Sequence, residues 1–176
     1  MNLTLLPPVE RLHQLQQRIT SEIKDAWLFP HRRAVSGFLG TGPVVIVGWR
    51  PAWSAFPDDG ANKLFYDVLT ENGLENAHLT NVVKSRGHKD EPDPEDFALH
   101  ESIFRRELEI VSGLHAVVPL GSAYERVAAL LSNQGVKSFY RLRQYASMNH
   151  GPDQVAAFRR EVAELAALAR SNRWIA

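Results

Sequence analysis

The sequence predicts an α/β protein with a four-stranded, mainly parallel central sheet and helices on both faces, a three-layer α/β/α sandwich. Two observations lead to this fold class. Extended and helical patterns alternate along the chain, and strands that are joined through helices run parallel within one sheet. In addition, residues 44–47 are four consecutive β-branched apolar residues bounded by Gly and Pro, which is typical of a strand buried on both faces.

Besides the strand at 44–47, the first half of the chain contains two predicted helices and a second predicted strand. One helix is predicted after Pro7 and Pro8, because Leu and Ile residues then recur at helical spacing. The segment 61–74 is a second helix, which the pair Asn72-Gly73 stops. The segment 78–83, HLTNVV, is the next strand.

The second half of the chain continues the alternation. A helix is predicted over 93–111, with Asp93 as its N-cap, Pro94 at the first helical position and acidic residues in the first turn. The remaining predicted elements are a strand at 115–121, a helix at 122–135, a fourth strand at 138–147 and a closing helix at 152–169.

The composition excludes several classes of protein. Its 44% hydrophobic and 23% charged residues are those of an ordinary globular protein. The absence of cysteine rules out disulfides, a thiolate metal site and a Cys nucleophile. The histidines show no metal-ligand spacing, so we expect neither a metal nor a cofactor. Twenty cations balance twenty anions, so a nucleic acid would have to be bound by a local basic patch.

The chain carries no sign of a membrane or a second domain. No apolar run approaches the ~18 residues of a membrane span, and the N-terminus lacks the basic start and apolar core of a signal peptide. We therefore expect a cytoplasmic monomer that does not bind membranes. It is predicted to be a single domain, 1–176, on which an N-terminal helical segment, 1–42, packs.

Polar and aromatic residues cluster after the ends of the predicted strands, where parallel sheets bind their ligands. These residues are Trp49, Arg50, Trp53, Phe56, Asp58, Asp59, Asn81, Lys84, Arg86, His88, Asn149 and His150. Aromatic side chains stack on bases, amides read base edges, and cations hold phosphates. The mixture favours a planar heteroaromatic ligand that is attached to phosphate.

Five segments in order resemble motifs of the uracil-DNA glycosylase superfamily, especially its iron–sulfur branches. The segments are VVIVGWRPA, GANKLFYDVLTENGL, HLTNVVKSRGHKDEPDPEDF, HAVVPLGSAYERVAALL and ASMNHGPD. The third is the most specific, since it resembles the family's Thr-Asn-x-x-Lys-Cys-Arg-Pro. The resemblance covers most of the chain and implies the fold of that superfamily and DNA as the partner.

The resemblance implies a base pocket and a DNA-binding surface. Asn81 would hydrogen-bond the edge of a flipped pyrimidine, although an Asn at a strand end is also commonly a turn residue. The remaining base-binding residues would be Gly48, Trp49, Pro51 and Phe56, with Phe56 as the stacking aromatic and Trp49 or Trp53 as its competitors. The DNA-binding residues would be Arg50, Lys84, Arg86, His88 and Ser122.

The implied catalytic residues lie in two loops. Asn149 or His150, depending on the alignment of the last motif, would donate a hydrogen bond to the developing charge on the base. Asp58 and Asp59 would position water or stabilise an oxocarbenium-like sugar, unless they simply form an Asp-Asp-Gly turn.

The chain departs from the family at two points that bear on function. It has none of the cluster cysteines, with Ser85 in the Lys-Cys-Arg position, so no iron–sulfur cluster can be built. Trp49 and Arg50 stand where many members carry a water-orienting polar residue. We therefore expect a glycosylase that excises uracil or a modified pyrimidine, or else a catalytically degenerate module that only binds nucleic acid or a nucleobase. Action on free nucleotides is a further possibility.

Overall fold

A computed structural model of the protein describes residues 6–52, 60–87, 92–111, 115–132 and 139–176. Helices and strands alternate in the predicted order. The helices are α1 Pro8–Glu22, α2 Gly60–Glu71, α3 Pro94–Ile110, α4 Ala123–Leu131 and α5 Pro152–Ser171. The strands are β1 Val44–Gly48, β2 His78–Asn81 and β3 Ala116–Pro119. Two short 3-10 helices span Gly37–Leu39 and Tyr145–His150.

The three strands form one parallel sheet in the order β2-β1-β3. β1 lies in the middle and all of its residues are buried, as its β-branched sequence predicts. Its last residues pair with the last residues of both neighbours, Gly48 with Asn81 and Val47 with Pro119. The carboxyl ends of the strands are therefore level at one edge of the sheet.

Helices cover both faces of this sheet. On one face α2 and α5 pack against Ile46, Leu79 and Val118, and on the other α3 and α4 pack against Val45 and Val47. α1 lies on the outer side of α3. The α/β class and the parallel sheet are thus confirmed. Within the described ranges, none of the helices is both long and apolar enough to cross a membrane.

The predicted fourth strand, 138–147, is not a strand in the part that the structure describes. Tyr140 and Leu142 donate main-chain hydrogen bonds to Val117 and Pro119 at 3.1 and 3.2 Å, but only isolated bridges result. The reason is Pro119, which has no N–H to return a bond to the carbonyl of Tyr140 and so breaks the ladder. Further along, the chain turns into the 3-10 helix Tyr145–His150.

A short segment after α1 is tied to the chain that leaves β2. Ala26 and Ser85 form an antiparallel bridge. The amide of Trp27 donates to the carbonyl of Lys84 at 2.7 Å, and that of Arg86 to the carbonyl of Asp25 at 3.0 Å. Main-chain hydrogen bonds thus fix the N-terminal segment against the carboxyl edge of the sheet.

Candidate ligand-binding site

A cavity of about 260 Å³ opens at the carboxyl edge of the sheet, where parallel sheets commonly bind ligands. Six of the predicted site residues line it: Gly48, Trp49, Arg50, Pro51, Asn81 and Asn149. The other lining residues are Trp27, Ala52, Asn62, Leu120, Gln144, Tyr145 and Ala146. The fold therefore brings the ends of β1 and β2 together with the 3-10 helix Tyr145–His150, as the alternation of strands and helices predicts.

Gly48 and Asn81 are register partners, and the Asn81 side chain occupies the space beside Gly48. A Cβ built at position 48 would lie 2.3 Å from Asn81 Oδ1, closer than real contacts allow. A Cβ at this strand end would therefore force the Asn81 carboxamide to move, whereas glycine, which lacks a Cβ, leaves it room. The glycine of the first motif thus makes room for the asparagine of the third.

The Asn81 side chain is nearly excluded from solvent, since the residue is 5% exposed. Its main-chain carbonyl accepts a hydrogen bond from Lys84 Nζ. Its carboxamide has no hydrogen-bond partner among the residues that the structure describes. A carboxamide carries two donors and an acceptor, and burying such groups without partners is unfavourable. The site is therefore suited to a ligand that offers complementary donors and acceptors.

Two aromatic rings of the cavity wall were not predicted as site residues. Tyr145 stacks on Phe65 with ring centroids 4.9 Å apart and planes 16° from parallel, which fixes the orientation of Tyr145. Trp27 is 8% exposed and lines the cavity as well. Both rings can offer apolar contact to a planar ligand.

Trp49 lines the cavity while its ring is supported from other sides. The ring lies 5.7 Å from that of Phe97 in α3, and the guanidinium carbon of Arg126 in α4 lies 5.0 Å from its centroid. The side chain is therefore anchored in the face of the sheet that α3 and α4 cover. Trp49 lines the cavity, and its ring packs against Phe97 and Arg126.

Asn62 and Gln144 are polar lining residues that sequence reasoning missed. Asn62 is almost fully buried on α2, one residue after the apolar Ala61 and three before the core residue Phe65. A polar residue on the inward face of an amphipathic helix was the available signal. Gln144 gave no comparable signal, because it lay in a segment that was predicted to be a strand.

Arg50 lines the cavity and also joins two loops. Its Nε donates to the carbonyl of Ser85 at 3.0 Å, and its Nη2 lies 3.2 Å from Ser85 Oγ and 3.3 Å from the carbonyl of Arg86. A Cβ at Gly87 would collide with the guanidinium. The predicted phosphate-binding role remains a prediction. The structure adds that Arg50 fastens the segment after β2 to the end of β1.

The prediction that Lys84 lies at the mouth and contacts DNA is wrong, because this side chain is fully buried. Its ammonium lies 2.7 Å from Glu107 Oε1 and donates to Thr80 Oγ1 at 2.8 Å and to the carbonyl of Asn81. Glu107 projects from α3 and also accepts a hydrogen bond from Thr80 at 2.7 Å. The sequence predicts an exposed cation after the strand. Instead, the Lys84 side chain is buried between β2 and α3.

Charges in this buried cluster stabilise one another. Burial tends to raise the pKa of Glu107, but the attraction of the Lys84 ammonium outweighs burial, and the pKa lies below its usual value. Burial lowers the pKa of Lys84, against the attraction of Glu107. His78 Nε2 lies 3.6 Å from Glu107 Oε2, while His78 Nδ1 is 3.0 Å from the carbonyl of Gly40.

Of the two candidates in the last motif, Asn149 lines the cavity and His150 does not. Both belong to the 3-10 helix Tyr145–His150 and both are exposed. Gly151 follows with a φ of 116°, a backbone conformation that favours glycine, and α5 begins directly after it. Of these two side chains, Asn149 is therefore the one placed to contact a ligand in the cavity.

The remaining predicted residues contribute less to the cavity. Ser122 is exposed at the start of α4, and Arg86 is half-buried in the segment after β2. Neither residue lines the cavity. Asp58, Asp59, Phe56 and His88, together with Trp53, lie outside the described residues. Across the described part of the chain, no three His, Asp or Glu side chains come together as a metal site would require.

A second cavity of about 270 Å³ lies at the opposite, amino-terminal edge of the sheet, against the C-terminal residues 174–176. Main chain and apolar side chains make up most of its wall, with Glu75 as the charged side chain among its lining residues. It lacks the convergent polar groups that orient a ligand. The carboxyl-edge cavity is therefore the candidate site of this α/β protein. A comparison with protein-family models and with curated proteins finds no match.

Proposed function

We propose that the protein is a DNA glycosylase-like protein of the uracil-DNA glycosylase superfamily, which binds a flipped uracil or modified pyrimidine and hydrolyses its N-glycosidic bond. The observation that carries this proposal is the buried Asn81 carboxamide, which makes no hydrogen bond to the described residues around it. An O4/N3–H pyrimidine edge offers it one acceptor and one donor. On this proposal the paired segment at 139–142 corresponds to the fourth strand of that superfamily.

The size and lining of the cavity support a single base as its ligand. Its volume of about 260 Å³ lies just below the usual range of about 300–1,000 Å³ for small-molecule sites, as a ligand as small as one base requires. The rings of Tyr145 and Trp27 supply apolar walls, and Asn62, Asn81 and Asn149 supply amides. A flipped base needs this combination of a flat apolar surface and a polar edge.

A non-catalytic binding module of the same fold is the second candidate, and one observation favours it. No Asp, Glu or His is found among the described residues that line the cavity, so none of these can activate water there. On the catalytic reading, water is positioned by Asp58 or Asp59. Both readings share the pyrimidine pocket and differ only in whether the bond is broken.

Base release from oligonucleotides that contain uracil or modified pyrimidines tests the proposal, with oligonucleotide affinity measured in parallel. In the Asn81→Asp variant a carboxylate replaces the donors, so we expect discrimination between bases to fall on the order of 10³-fold. Because Asn81 is nearly buried, the variant Asn81→Ala is measured too, since it introduces no charge. Asn172→Asp changes an exposed carboxamide at the end of α5 and is the matched control.

The two readings give different results in this assay. Release of the base that depends on Asn81 establishes the glycosylase. Base-selective binding without release, lost in the same variants, establishes the binding module. Base release or binding that is unaffected in a folded Asn81→Ala variant rejects the pyrimidine pocket altogether.

A further inference from the structure

The ammonium of Lys84 is surrounded by three oxygen atoms behind the candidate site. They are Glu107 Oε1 at 2.7 Å, Thr80 Oγ1 at 2.8 Å and the main-chain carbonyl of Asn81. The contacts with Thr80 and Asn81 are hydrogen bonds, and the contact with Glu107 is an ion pair. One of the two hydrogen bonds holds the residue whose side chain faces the cavity.

β2 is an edge strand, and Lys84 supplies a bond that a neighbouring strand would otherwise make. On its inner side the chain pairs with β1, and the amides of Val82 and Val83 continue to donate to Gly48 and Trp49 at 3.0 and 2.9 Å. The carbonyl of Asn81 is instead bonded to Lys84. The orientation of this peptide group fixes the Cα–Cβ direction of Asn81, and therefore the direction of its carboxamide.

We infer that the buried Lys84–Glu107 pair is a positioning device for Asn81, which holds the carboxamide in the orientation that reads the base. The inference rests on the proposed function, because it assigns the pair a role in base recognition at the same site. Lys84 and Glu107 are positioning residues and not catalytic ones, since neither lines the cavity.

Stability alone gives a poor account of this pair. Both side chains are completely buried, and withdrawing two charges from water is costly even when they are paired. Apolar residues of similar volume often stabilise a protein as well as such a pair, or better. What an apolar pair cannot do is donate a directed hydrogen bond to the carbonyl of residue 81.

The decisive variant replaces both partners, Lys84→Met with Glu107→Leu, because removing one alone leaves a buried charge. The matched control is Glu101→Leu with Arg105→Met, which removes an ion pair of 2.6 Å on the same helix, away from the cavity. Three quantities are compared with those of the wild type. They are urea unfolding, the Asn81 side-chain amide resonances, and the affinities for oligonucleotides with a uracil or an abasic position.

We expect the Lys84/Glu107 double variant to unfold cooperatively and to bind the abasic oligonucleotide as the wild type does. Its preference for uracil over the abasic position should fall at least tenfold, and the Asn81 amide resonances, assigned by their loss in Asn81→Asp, should shift. The Glu101/Arg105 control variant should keep the wild-type preference for uracil and the wild-type Asn81 amide resonances. If the Lys84/Glu107 double variant does not fold, Lys84→Met with Glu107→Gln, which also leaves no buried charge and keeps the shape of residue 107, is measured by the same criteria.

Unchanged amide resonances together with an unchanged preference for uracil overturn the inference. That result is distinct from failure of the proposed function, in which Asn81→Ala also leaves oligonucleotide binding and base release unaffected. The resonances report on the orientation of Asn81 whether or not the ligand is a pyrimidine.

Discussion

Asn81 Oδ1 lies 2.3 Å from the ideal position of a Cβ at residue 48, so any side chain at position 48 would displace the Asn81 carboxamide. The two residues are 33 positions apart in sequence and are brought together by the β1–β2 register. The candidate site is thus built from the pairing of two neighbouring strands.

Replacing Gly48 with alanine should displace the Asn81 carboxamide. We expect a loss of stability of about 1–3 kcal/mol from overpacking, and a loss of base preference comparable to that of Asn81→Ala. Urea unfolding and oligonucleotide affinity measure the two effects. Gly60→Ala is the control, because a Cβ at Gly60 meets no atom within 4 Å. Wild-type base preference in Gly48→Ala would show that the position of Asn81 is irrelevant to binding.

The adjacent residues Asn149 and His150 should behave differently when each is replaced with alanine. Asn149→Ala removes an amide from the cavity wall, so the rate of base release, or the affinity if no release occurs, should fall by tenfold or more. His150→Ala should leave both near wild type, because this side chain is exposed and does not line the cavity. If His150→Ala reduced release or affinity and Asn149→Ala did not, His150 would be the residue of this pair that acts on the ligand.

A cationic surface next to the candidate site should contact the nucleic-acid backbone. Arg33 and Lys63 line a shallow surface depression alongside α2. The guanidinium carbon of Arg32 lies 4.9 Å from the centre of the Tyr66 ring in the same depression. The anionic Asp67 lines it as well. Lys63 follows Asn62, which lines the cavity. We expect Arg33→Glu combined with Lys63→Glu to weaken binding of a single-stranded oligonucleotide and to flatten its dependence on salt.

The salt slope gives the magnitude of this effect. Each phosphate contact that is lost should reduce the slope of log affinity against log salt by about 0.7 for single strands. Arg160→Glu, which reverses an exposed cation on α5, is the control and should change the slope much less. The double reversal changes the net charge twice as much as Arg160→Glu does. An effect of Arg160→Glu that is half as large as that of the double variant would mean that the protein's total charge, and not this surface, governs binding.

His100 should make the protein less stable as the pH falls below 6.5. Burial lowers its pKa to about 4, with Lys84 and Arg50 adding to the effect of burial and Asp96 opposing it. The neutral ring accepts a hydrogen bond from the amide of Lys84, with Nδ1 and N 3.3 Å apart. The unfolded chain binds the proton at pH 6.5 and the folded one only near pH 4, so stability is lost between these values.

Unfolding in urea at pH 7.5 and pH 4.5 measures this loss, which amounts to at most about 3 kcal/mol. The variant His100→Asn keeps an acceptor at the place of Nδ1 but does not titrate. We expect it to lose less stability than the wild type over the same interval. His31→Asn, which replaces an exposed histidine, should behave like the wild type. Identical losses in His100→Asn and the wild type would show that His100 is not responsible.

Local sequence was enough to predict the sheet and the place of Asn81. The β-branched run of β1 and the break at Asn72-Gly73 are encoded by neighbouring residues, and the elements form close to where they are predicted. Strand ends in a parallel sheet must meet at one edge, so Gly48 and Asn81 could be brought together without knowledge of side-chain packing.

Lys84 could not be placed in this way, because its position depends on a residue far along the chain. A lysine after a strand is normally solvated, and only the carboxylate of Glu107, 23 residues later on α3, makes its burial tolerable. The fourth strand failed for a related reason. Residues 139–142 are suitable for a strand, but the hydrogen bond that they need is missing at Pro119 of their neighbour.

The central position of β1 makes the two sides of the candidate site unequal in their resistance to local opening. Amides of a strand that is paired on both sides and fully buried exchange with solvent only when most of the protein unfolds. The 3-10 helix Tyr145–His150 is short, mostly accessible and followed by a glycine with positive φ, so its amides should exchange orders of magnitude faster. Local opening should therefore expose the main chain of the wall that carries Asn149 well before that of the wall that carries Gly48.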